Sequence, residues 1–342
     1  MVTALRRLMF RALKGLVYAL FLLGATAGLL EIAYRRQWID FYAAELRGLN
    51  RPGDLSPQDK RPTLLVLGDS FSAQPFSYVN VLRDSLPGTR IINAAVPGTG
   101  LPEAAVIARR CLKRYPPDAL LYQVYVGNDL WDLRKTADNP RISFSRNLYW
   151  RLSDQSFFLR FLNYRLGQVK SKTGIAVETR ELKSDIPFSP ERYSLRERLL
   201  FEAEPALVQN SALAIGRRSE DMNRWLLEMD NLLKLLPEHV QPVLIVPVPH
   251  CAQVNVWYAG NMEQIGAAPF PAEMQAQDYP FLERIRAHYA NDKRVRVISP
   301  LPAFQQTDSI GRRLYYENDP HLNAPGQEVL GRVLLKEMAG MR

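Results

Sequence analysis

Residues 63–72 read Thr-Leu-Leu-Val-Leu-Gly-Asp-Ser-Phe-Ser, an apolar run that ends at a glycine and a small polar turn. A short run of leucine and valine without alternation is typical of a parallel strand that is covered on both faces. Four similar runs follow, at residues 90–94, 119–126, 243–248 and 295–298. Helical patterns lie between most of these runs, so the sequence predicts a parallel sheet with helices on both sides.

The clearest helical pattern lies between the third and fourth predicted strands. Over residues 219–236 apolar side chains recur at helical spacing, and we expect Ser219 to cap this helix. A last helix is predicted after Pro325. Sheets of this kind bind ligands at the carboxyl ends of their strands, so functional residues are expected in the loops that follow the strands.

The N-terminal part of the chain is strongly apolar. Residues 15–34 contain one charged side chain, Glu31, and reach about the length of a membrane-spanning helix. Residues 1–14 are basic and are expected in the cytoplasm, which puts the rest on the extracytoplasmic, periplasmic side. We predict an uncleaved anchor, because the stretch is longer than a signal-peptide core. A signal peptide cleaved after residues 25–27 and a buried core helix are the alternatives.

The remaining chain is predicted to consist of a linker and one large domain. Residues 35–62 are polar and contain proline, as in a linker, and residues 63–342 form the predicted catalytic domain. Within it, residues 139–219 break the alternation and are predicted to be a helical insertion. Between Arg141 and Lys172 there are seven basic residues and one acidic residue, interleaved with aromatic ones. This pattern predicts either a membrane-surface or acyl-chain contact, or a helix that packs its aromatic side chains on the core.

Composition narrows the class of protein. The chain has 342 residues, 47% hydrophobic and 23% charged, as folded globular proteins do. Its two cysteines, Cys111 and Cys251, have no metal-ligand spacing, which argues against a zinc site and leaves either one disulfide or two buried thiols. The net charge of +9 indicates an acidic neighbour such as lipid headgroups or an anionic glycan. No basic nucleic-acid motif is recognisable, so no nucleic-acid partner is expected.

Three candidate site residues follow the first three predicted strands. Ser70 lies in a Gly-Asp-Ser turn, where a following helix would aim its N-terminal amides at the serine. A serine becomes a nucleophile only with a base and an oxyanion site. Gly98 offers an unhindered backbone N–H, and Asn128 can donate its side-chain amide to an oxyanion. Each of the three, taken alone, is also typical of an ordinary turn.

The base is chosen from four histidines, which are His239, His250, His288 and His321. We predict His321, because Asp319 stands two residues before it and can orient the imidazole as the acid of a triad does. His250, which follows the fourth strand, is the rival. The order Ser, Asp, His is that of the α/β-hydrolases, but Ser72 stands where their GxSxG turn needs its last glycine.

In this order the four elements resemble the SGNH hydrolases, the family of GDSL-like lipases and esterases. Ser70 matches the serine block, Gly98 the glycine block, Asn128 the asparagine block and His321 the histidine block. Many members carry DxxH in the last block, whereas this chain has DxH, with Asn318 three residues before the histidine. DxH followed by asparagine is also similar to the membrane-associated polysaccharide O-acetyltransferases.

The resemblance implies a three-layer α/β/α sandwich with a five-stranded, flavodoxin-like parallel sheet, and no metal or organic cofactor. It implies that His321, oriented by Asp319, deprotonates Ser70. The oxyanion is then held by the backbone amides of Ser70 and Gly98 and by the side chain of Asn128.

The expected activity is serine-dependent hydrolysis of an acylated glycan or lipid. O-acyl transfer to a surface polysaccharide and non-catalytic glycan binding are the alternatives. Asp69 and Asp129 are expected to be structural partners of their loops rather than proton carriers.

Overall fold

The computed structural model describes residues 2–135, 139–173 and 186–339. Its five strands form one parallel sheet in the order β2-β1-β3-β4-β5. They are β1 (Thr63–Leu67), β2 (Arg90–Asn93), β3 (Ala119–Tyr125), β4 (Val243–Val248) and β5 (Val295–Val297). Each strand agrees with its predicted run to within one residue at either end.

Helices cover both faces of the sheet. Helix α3 packs against α15 on one face, and α10 packs against α4 and α13 on the other, so the three-layer α/β/α prediction is confirmed. The described α-helices are α1 (Val2–Arg35), α2 (Ala43–Leu49), α3 (Tyr78–Ser85), α4 (Leu101–Arg114), α5 (Asp129–Leu133), α6 (Phe144–Ser153), α7 (Phe157–Thr173), α8 (Leu195–Ala203), α9 (Leu207–Leu213), α10 (Arg217–Leu233), α11 (Cys251–Val254), α12 (Val256–Gln264), α13 (Pro280–His288), α14 (Leu301–Thr307) and α15 (Ala324–Ala339).

The strand order determines where a ligand can bind. Strand β1 lies between β2 and β3, so the chain winds one way from β1 to β2 and the other way from β3 to β5. The connections on either side of β1 therefore diverge, and they leave a crevice at the carboxyl ends of these strands. Strands β1, β2 and β4 are buried along their whole length, because helices cover both faces.

The start of α10 differs from the prediction. The helix begins at Arg217, after Gly216, and Ser219 lies in its first turn rather than at its cap. The reason is a buried ion pair, since the fully buried Arg218 donates to the Asp221 carboxylate over 2.6 Å and also bonds Glu204. These contacts hold Arg218 in the first turn of the helix, and sequence periodicity does not reveal them.

The apolar N-terminal stretch is part of one long helix, α1. Among the described helices, α1 is the one that is long and apolar enough to cross a membrane, over Met9–Arg35. A membrane anchor and a signal sequence are both compatible with such a helix.

Residues 35–62 are more ordered than a linker would be. They contain α2, and Tyr42, Asn50 and Asp54 are buried. Asn50 bonds to the backbone at Asn93 in both directions, with distances of 2.7 and 2.8 Å, and it also accepts from Arg83. Polar composition predicted a linker, but these polar side chains are used to attach the segment to the end of β2.

The predicted insertion contains α6 to α9, and its residues 174–185 lie outside the described part of the chain. Four of its aromatic residues, Phe157, Phe158, Phe161 and Tyr164, are partly buried and pack on the core. For these four residues the structure therefore agrees with the prediction of a helix that packs its aromatic side chains on the core. Phe144 is different, because it is 81% exposed on α6. Cys111 and Cys251 are both free and buried.

Candidate active site

Ser70 lies in a tight turn directly after β1. The Ala73 N–H donates to the Asp69 carbonyl at 3.1 Å, which closes a single helical turn. The helix that was expected directly after Ser70 begins later, since α3 starts at Tyr78. The reason is Pro75, because a proline disfavours helical geometry in the residue before it. Gly68 is required at the start of the turn, since a Cβ there would lie 2.6 Å from Gln123 Oε1.

His321 reaches the serine from the loop between α14 and α15. Its Nε2 lies 2.6 Å from Ser70 Oγ, and its Nδ1 is hydrogen-bonded to Asp319 Oδ1. With a carboxylate at Nδ1, the neutral imidazole carries its proton there and accepts from the serine at Nε2. The structure therefore brings the three predicted catalytic residues into one hydrogen-bonded chain.

The histidine ring is held by its own loop and by a neighbour of the serine. The His321 N–H donates to Asp319 Oδ1 at 2.9 Å, and the Tyr316 N–H donates to the His321 carbonyl at 3.1 Å. Phe71 packs on the imidazole with ring centroids 4.9 Å apart. Asn323, the asparagine that follows the DxH block, accepts from the Gly326 N–H at 3.0 Å and so caps α15. The ring orientation is thus determined before substrate binds.

Gly98 is the exposed residue of an otherwise largely buried segment that follows β2. Its φ of +72° is a conformation that residues with a Cβ rarely adopt, so the loop requires glycine. Two hydrogen bonds attach this region to the serine turn: Val96 N to Gly68 O at 3.1 Å, and Asn93 Nδ2 to Ser72 O at 2.8 Å.

Asn128 follows β3 and precedes the first residue of α5. Its side chain is buried, and its Oδ1 has no hydrogen-bond partner among the residues that the structure describes. The end of β3 is packed on the serine turn through Tyr125, whose ring centroid lies 4.4 Å from that of Phe71. The unpartnered oxygen is an acceptor and cannot bind an oxyanion, so the donor role predicted for Asn128 belongs to its Nδ2 group.

Asp69 and Asp129 bind backbone amides. Asp69 Oδ1 accepts from the Phe71 N–H and Asp129 Oδ2 from the Tyr125 N–H, each at 2.9 Å. Burial raises the pKa of both carboxyl groups, and the charge of Asp69 raises the pKa of Asp129 further. These contacts fit the expected structural role.

One acidic residue near the triad was not predicted from the sequence. Glu197, in the first turn of α8, is buried, and burial raises its pKa to about 7. Arg196 and His321 lower this pKa, whereas Asp319 and Asp132 raise it. The residue lies in the predicted insertion, where no strand end or motif singled it out.

We expect Glu197→Gln to stabilise the protein at high pH. The pKa of Glu197 is raised from 4.5 to about 7, so its contribution to stability is complete below pH 4.5 and is lost as the pH rises to about 7. Glutamine does not titrate, so the variant avoids a loss of about 3 kcal/mol. Thermal unfolding should show a Tm about 4 to 5 °C higher than wild type at pH 8 and a smaller difference at pH 4.5. Equal differences at both pH values would contradict this.

We expect Asn128→Ala to lower kcat by about 10² to 10³-fold, because Asn128 is the predicted oxyanion donor and loss of one such donor removes about 2.7 to 4 kcal/mol of transition-state stabilisation. The measurement is the steady-state hydrolysis of p-nitrophenyl acetate. Asn80→Ala is the control, because Asn80 bonds the Pro75 carbonyl and Arg83 on α3, and it should stay within about twofold. A kcat for Asn128→Ala within threefold of wild type would exclude the donor role.

His250, the rival base, is fully buried and does not contact the serine. Its Nδ1 accepts from the Ala252 N–H at 3.1 Å, and burial lowers its pKa to about 3. A histidine in this state is a poor proton acceptor at neutral pH. Within residues 2–135, 139–173 and 186–339, no three His, Cys, Asp or Glu side chains are grouped as a metal site requires.

Fold and site together define an α/β protein with a hydrogen-bonded Ser-His-Asp chain at the carboxyl edge of a parallel sheet. No protein-family model and no curated protein sequence matches this chain. Solved structures do match.

An α/β hydrolase from the metagenome of Lake Arreo, Spain, is 13% identical, with 82% of this chain and 96% of that chain covered and a TM-score of 0.38. A lipase/acylhydrolase from Enterococcus faecalis is 11% identical, with 82% and 96% covered and a TM-score of 0.37. A catalytic mutant of an acetylxylan esterase from Geobacillus stearothermophilus is 12% identical, with 81% and 94% covered and a TM-score of 0.38. Sequence identities and TM-scores this low do not extend the likeness to function.

Proposed function

We propose that this protein is a serine esterase of the SGNH type, which removes acyl groups from a glycan or lipid through an acyl-enzyme on Ser70. The observation that carries the proposal is the contact between Ser70 Oγ and His321 Nε2 at 2.6 Å, with Asp319 on the other imidazole nitrogen. Nucleophile, base and orienting acid are all present. This favours catalysis over the binding-only alternative, which would need none of the three in contact.

In the acylation step, His321 Nε2 takes the proton of Ser70 while Oγ forms a bond to the carbonyl carbon of the ester. The oxyanion that develops is stabilised by the amides of Ser70 and Gly98 and by the Asn128 side chain. His321 then gives its proton to the alcohol oxygen as the bond to the carbonyl carbon breaks. The alcohol leaves, and the acyl group stays on Ser70.

In the deacylation step, His321 deprotonates an incoming hydroxyl, which attacks the acyl carbon and returns Ser70 with its proton. Water gives hydrolysis, and a sugar hydroxyl gives acyl transfer. The His321 side chain is 15% exposed, so solvent reaches the base. This exposure supports hydrolysis as the main reaction, and transfer to a polysaccharide is the alternative.

The proposed enzyme is anchored by α1, with its active site on the extracytoplasmic side of the membrane. The basic residues before the apolar part of α1 support this orientation. The end of α1 supports retention of the helix, because Tyr34 is fully buried and its hydroxyl bonds that of Tyr42 at 2.9 Å. A catalytic domain that starts at Arg47 would lose both tyrosines, so experiments should use the full chain.

The proposal is tested by trapping the nucleophile. The full chain in detergent micelles is treated with a fluorophosphonate probe, which reacts only with an activated serine, and the labelled peptide is identified by mass spectrometry. We expect the label on Ser70, with none in Ser70→Ala. Ser72→Ala should still be labelled, because Ser72 Oγ is buried and bonds Tyr78 and Gln123. Absence of label from the folded wild-type protein would exclude the proposed nucleophile.

The acceptor is tested separately with p-nitrophenyl acetate. Release of p-nitrophenol and of free acetate is compared with and without an oligosaccharide. Equal amounts of both products in the presence of the sugar indicate hydrolysis. Acetyl esters found on the sugar, with a matching deficit of free acetate, would identify the protein as a transferase instead.

A further inference from the structure

Glu31 is an acidic residue near the end of an otherwise apolar stretch, and the structure gives it a specific partner. Its Oε2 accepts from Ser156 Oγ and from the Phe158 N–H, both at 2.8 Å, and its Oε1 accepts from the Phe157 N–H at 3.2 Å. The carboxylate of α1 therefore binds the first amides of α7. These amides have no partner within their own helix, and the helix dipole favours a negative charge there.

Arg35 and Tyr34 complete the contact between α1 and α7. Arg35 bonds Glu31 at 2.6 Å, and its guanidinium lies 4.4 Å from the ring centroid of Phe157. The buried ring of Tyr34 contacts Phe157 and Phe161. Polar and apolar contacts thus hold the start of α7 in one position on α1.

The first turn of α7 also carries a residue that reaches the active-site loops. Arg160 bonds the buried Glu103 of α4 at 2.6 Å, and Glu103 Oε2 accepts from the Gly100 N–H at 3.3 Å. Gly100 is two residues after Gly98 and caps α4. Through Glu103, the ion pair therefore fixes the backbone at Gly100, next to the Gly98 loop.

We propose that Glu31 is a positioning residue of the active site: by holding the first turn of α7, it keeps Arg160 on Glu103 and the Gly98 loop in its catalytic position. The proposal rests on the esterase function proposed above. It makes α1 a structural part of the enzyme as well as a membrane anchor. The positioning role also explains why the charged Glu31 is found in the apolar helix α1, where removing a carboxylate from water is unfavourable.

The test compares full-length variants in detergent micelles with p-nitrophenyl acetate as the substrate. For Glu31→Ala we expect kcat to fall about 10- to 100-fold, because a small displacement of a catalytic group has effects of that size. KM should change less than threefold, since the loop acts on the transition state. Glu31→Gln should lose less, because its amide oxygen still accepts from α7. Glu328→Gln is the matched control, since Glu328 makes the same i,i+4 pair with Arg332 and, among the residues that the structure describes, has no hydrogen bond or ion pair to a second helix.

A double-mutant cycle tests the route through Arg160. If Glu31 acts through Arg160, kcat of Glu31→Ala/Arg160→Ala equals that of Arg160→Ala, whereas independent effects multiply. Circular dichroism at the assay temperature shows whether each variant is folded. Multiplied losses, or a kcat of Glu31→Ala that falls only with the folded fraction, would overturn the inference.

Hydrogen exchange separates this inference from the proposed function, because it does not need catalysis. Residues 96–103 should exchange faster in folded Glu31→Ala than in wild type and at an unchanged rate in Glu328→Gln. Unchanged exchange of residues 96–103 in Glu31→Ala overturns the inference even if the wild type is an active esterase. If residues 96–103 exchange faster in Glu31→Ala but the wild type shows no Ser70-dependent activity, the inference is supported and the proposed function fails.

Discussion

His321→Ala should lower kcat for p-nitrophenyl acetate by about 10⁶-fold, which leaves only the rate that binding and the oxyanion site supply. The reason is that Ser70 Oγ has its base at Nε2 of this residue, 2.6 Å away. An unassisted serine hydroxyl is a weak nucleophile at neutral pH. Single-turnover release of p-nitrophenol measures the effect, and the fluorophosphonate label on Ser70 should disappear in parallel.

His250→Ala is the matched control for this prediction. His250 follows β4 and His321 comes after β5. Unlike His321, His250 is fully buried, and it packs its ring on Tyr125 with centroids 6.0 Å apart. We expect the control to lower the Tm and to keep kcat per folded molecule within about tenfold. A larger loss in His250→Ala than in His321→Ala would reverse the choice of base.

The sheet and the site loops could be predicted because parallel strands are buried on both faces. Their sequences are continuous apolar runs, as in Thr63–Leu67, and the loops that follow them are polar and rich in glycine. Ser70, Gly98 and Asn128 follow three such strands, and the strand order puts those strand ends at one edge. His321 could be chosen because few histidines were available and one had a carboxylate nearby in sequence.

The packing of residues 31–62 on the catalytic domain could not be predicted, because it depends on contacts with residues distant in sequence. Glu31 bonds residues more than 120 positions away, and Asn50 bonds Asn93. Composition shows only that a segment is polar. It does not show whether the polar side chains form hydrogen bonds with residues elsewhere in the chain. The same limit applies to Glu197, which is close to the triad only because α8 packs on the histidine loop, where the Ser194 N–H donates to the Asn318 carbonyl at 3.0 Å.

Asn318, at the position where DxxH has its aspartate, has a different task here. Its Oδ1 accepts from the Ser189 N–H at 2.8 Å, and its Nδ2 donates to the Pro187 carbonyl at 3.0 Å. The side chain therefore links residues 187–189 of the insertion to the histidine loop. The imidazole is left to Asp319, which bonds both its Nδ1 and the His321 backbone N–H. The DxH spacing is thus compatible with an oriented base.

Asp319→Asn is expected to lower kcat by about 10⁴-fold with little change in KM. Both contacts of Asp319 with His321 use one oxygen, Oδ1, so the asparagine has to place a single group at both of them. In either orientation the negative charge that stabilises the imidazolium is lost, and with the NH₂ group at this position the imidazole carries its proton on Nε2, the wrong tautomer to accept from Ser70. The protein should stay folded, because the substitution keeps shape and size. The measurement is kcat for p-nitrophenyl acetate at several pH values, with circular dichroism as the check on folding.

Asn318→Asp is the matched control, because it exchanges the same two side chains at the neighbouring position and creates the DxxH spacing. Since Asn318 bonds the segment at residues 187–189, we expect a lower Tm and a kcat within about tenfold of wild type. The double variant Asp319→Asn/Asn318→Asp should remain as inactive as Asp319→Asn. Recovery of activity in the double variant would mean that position 318 can supply the orienting acid, and the assignment of Asp319 would then be wrong.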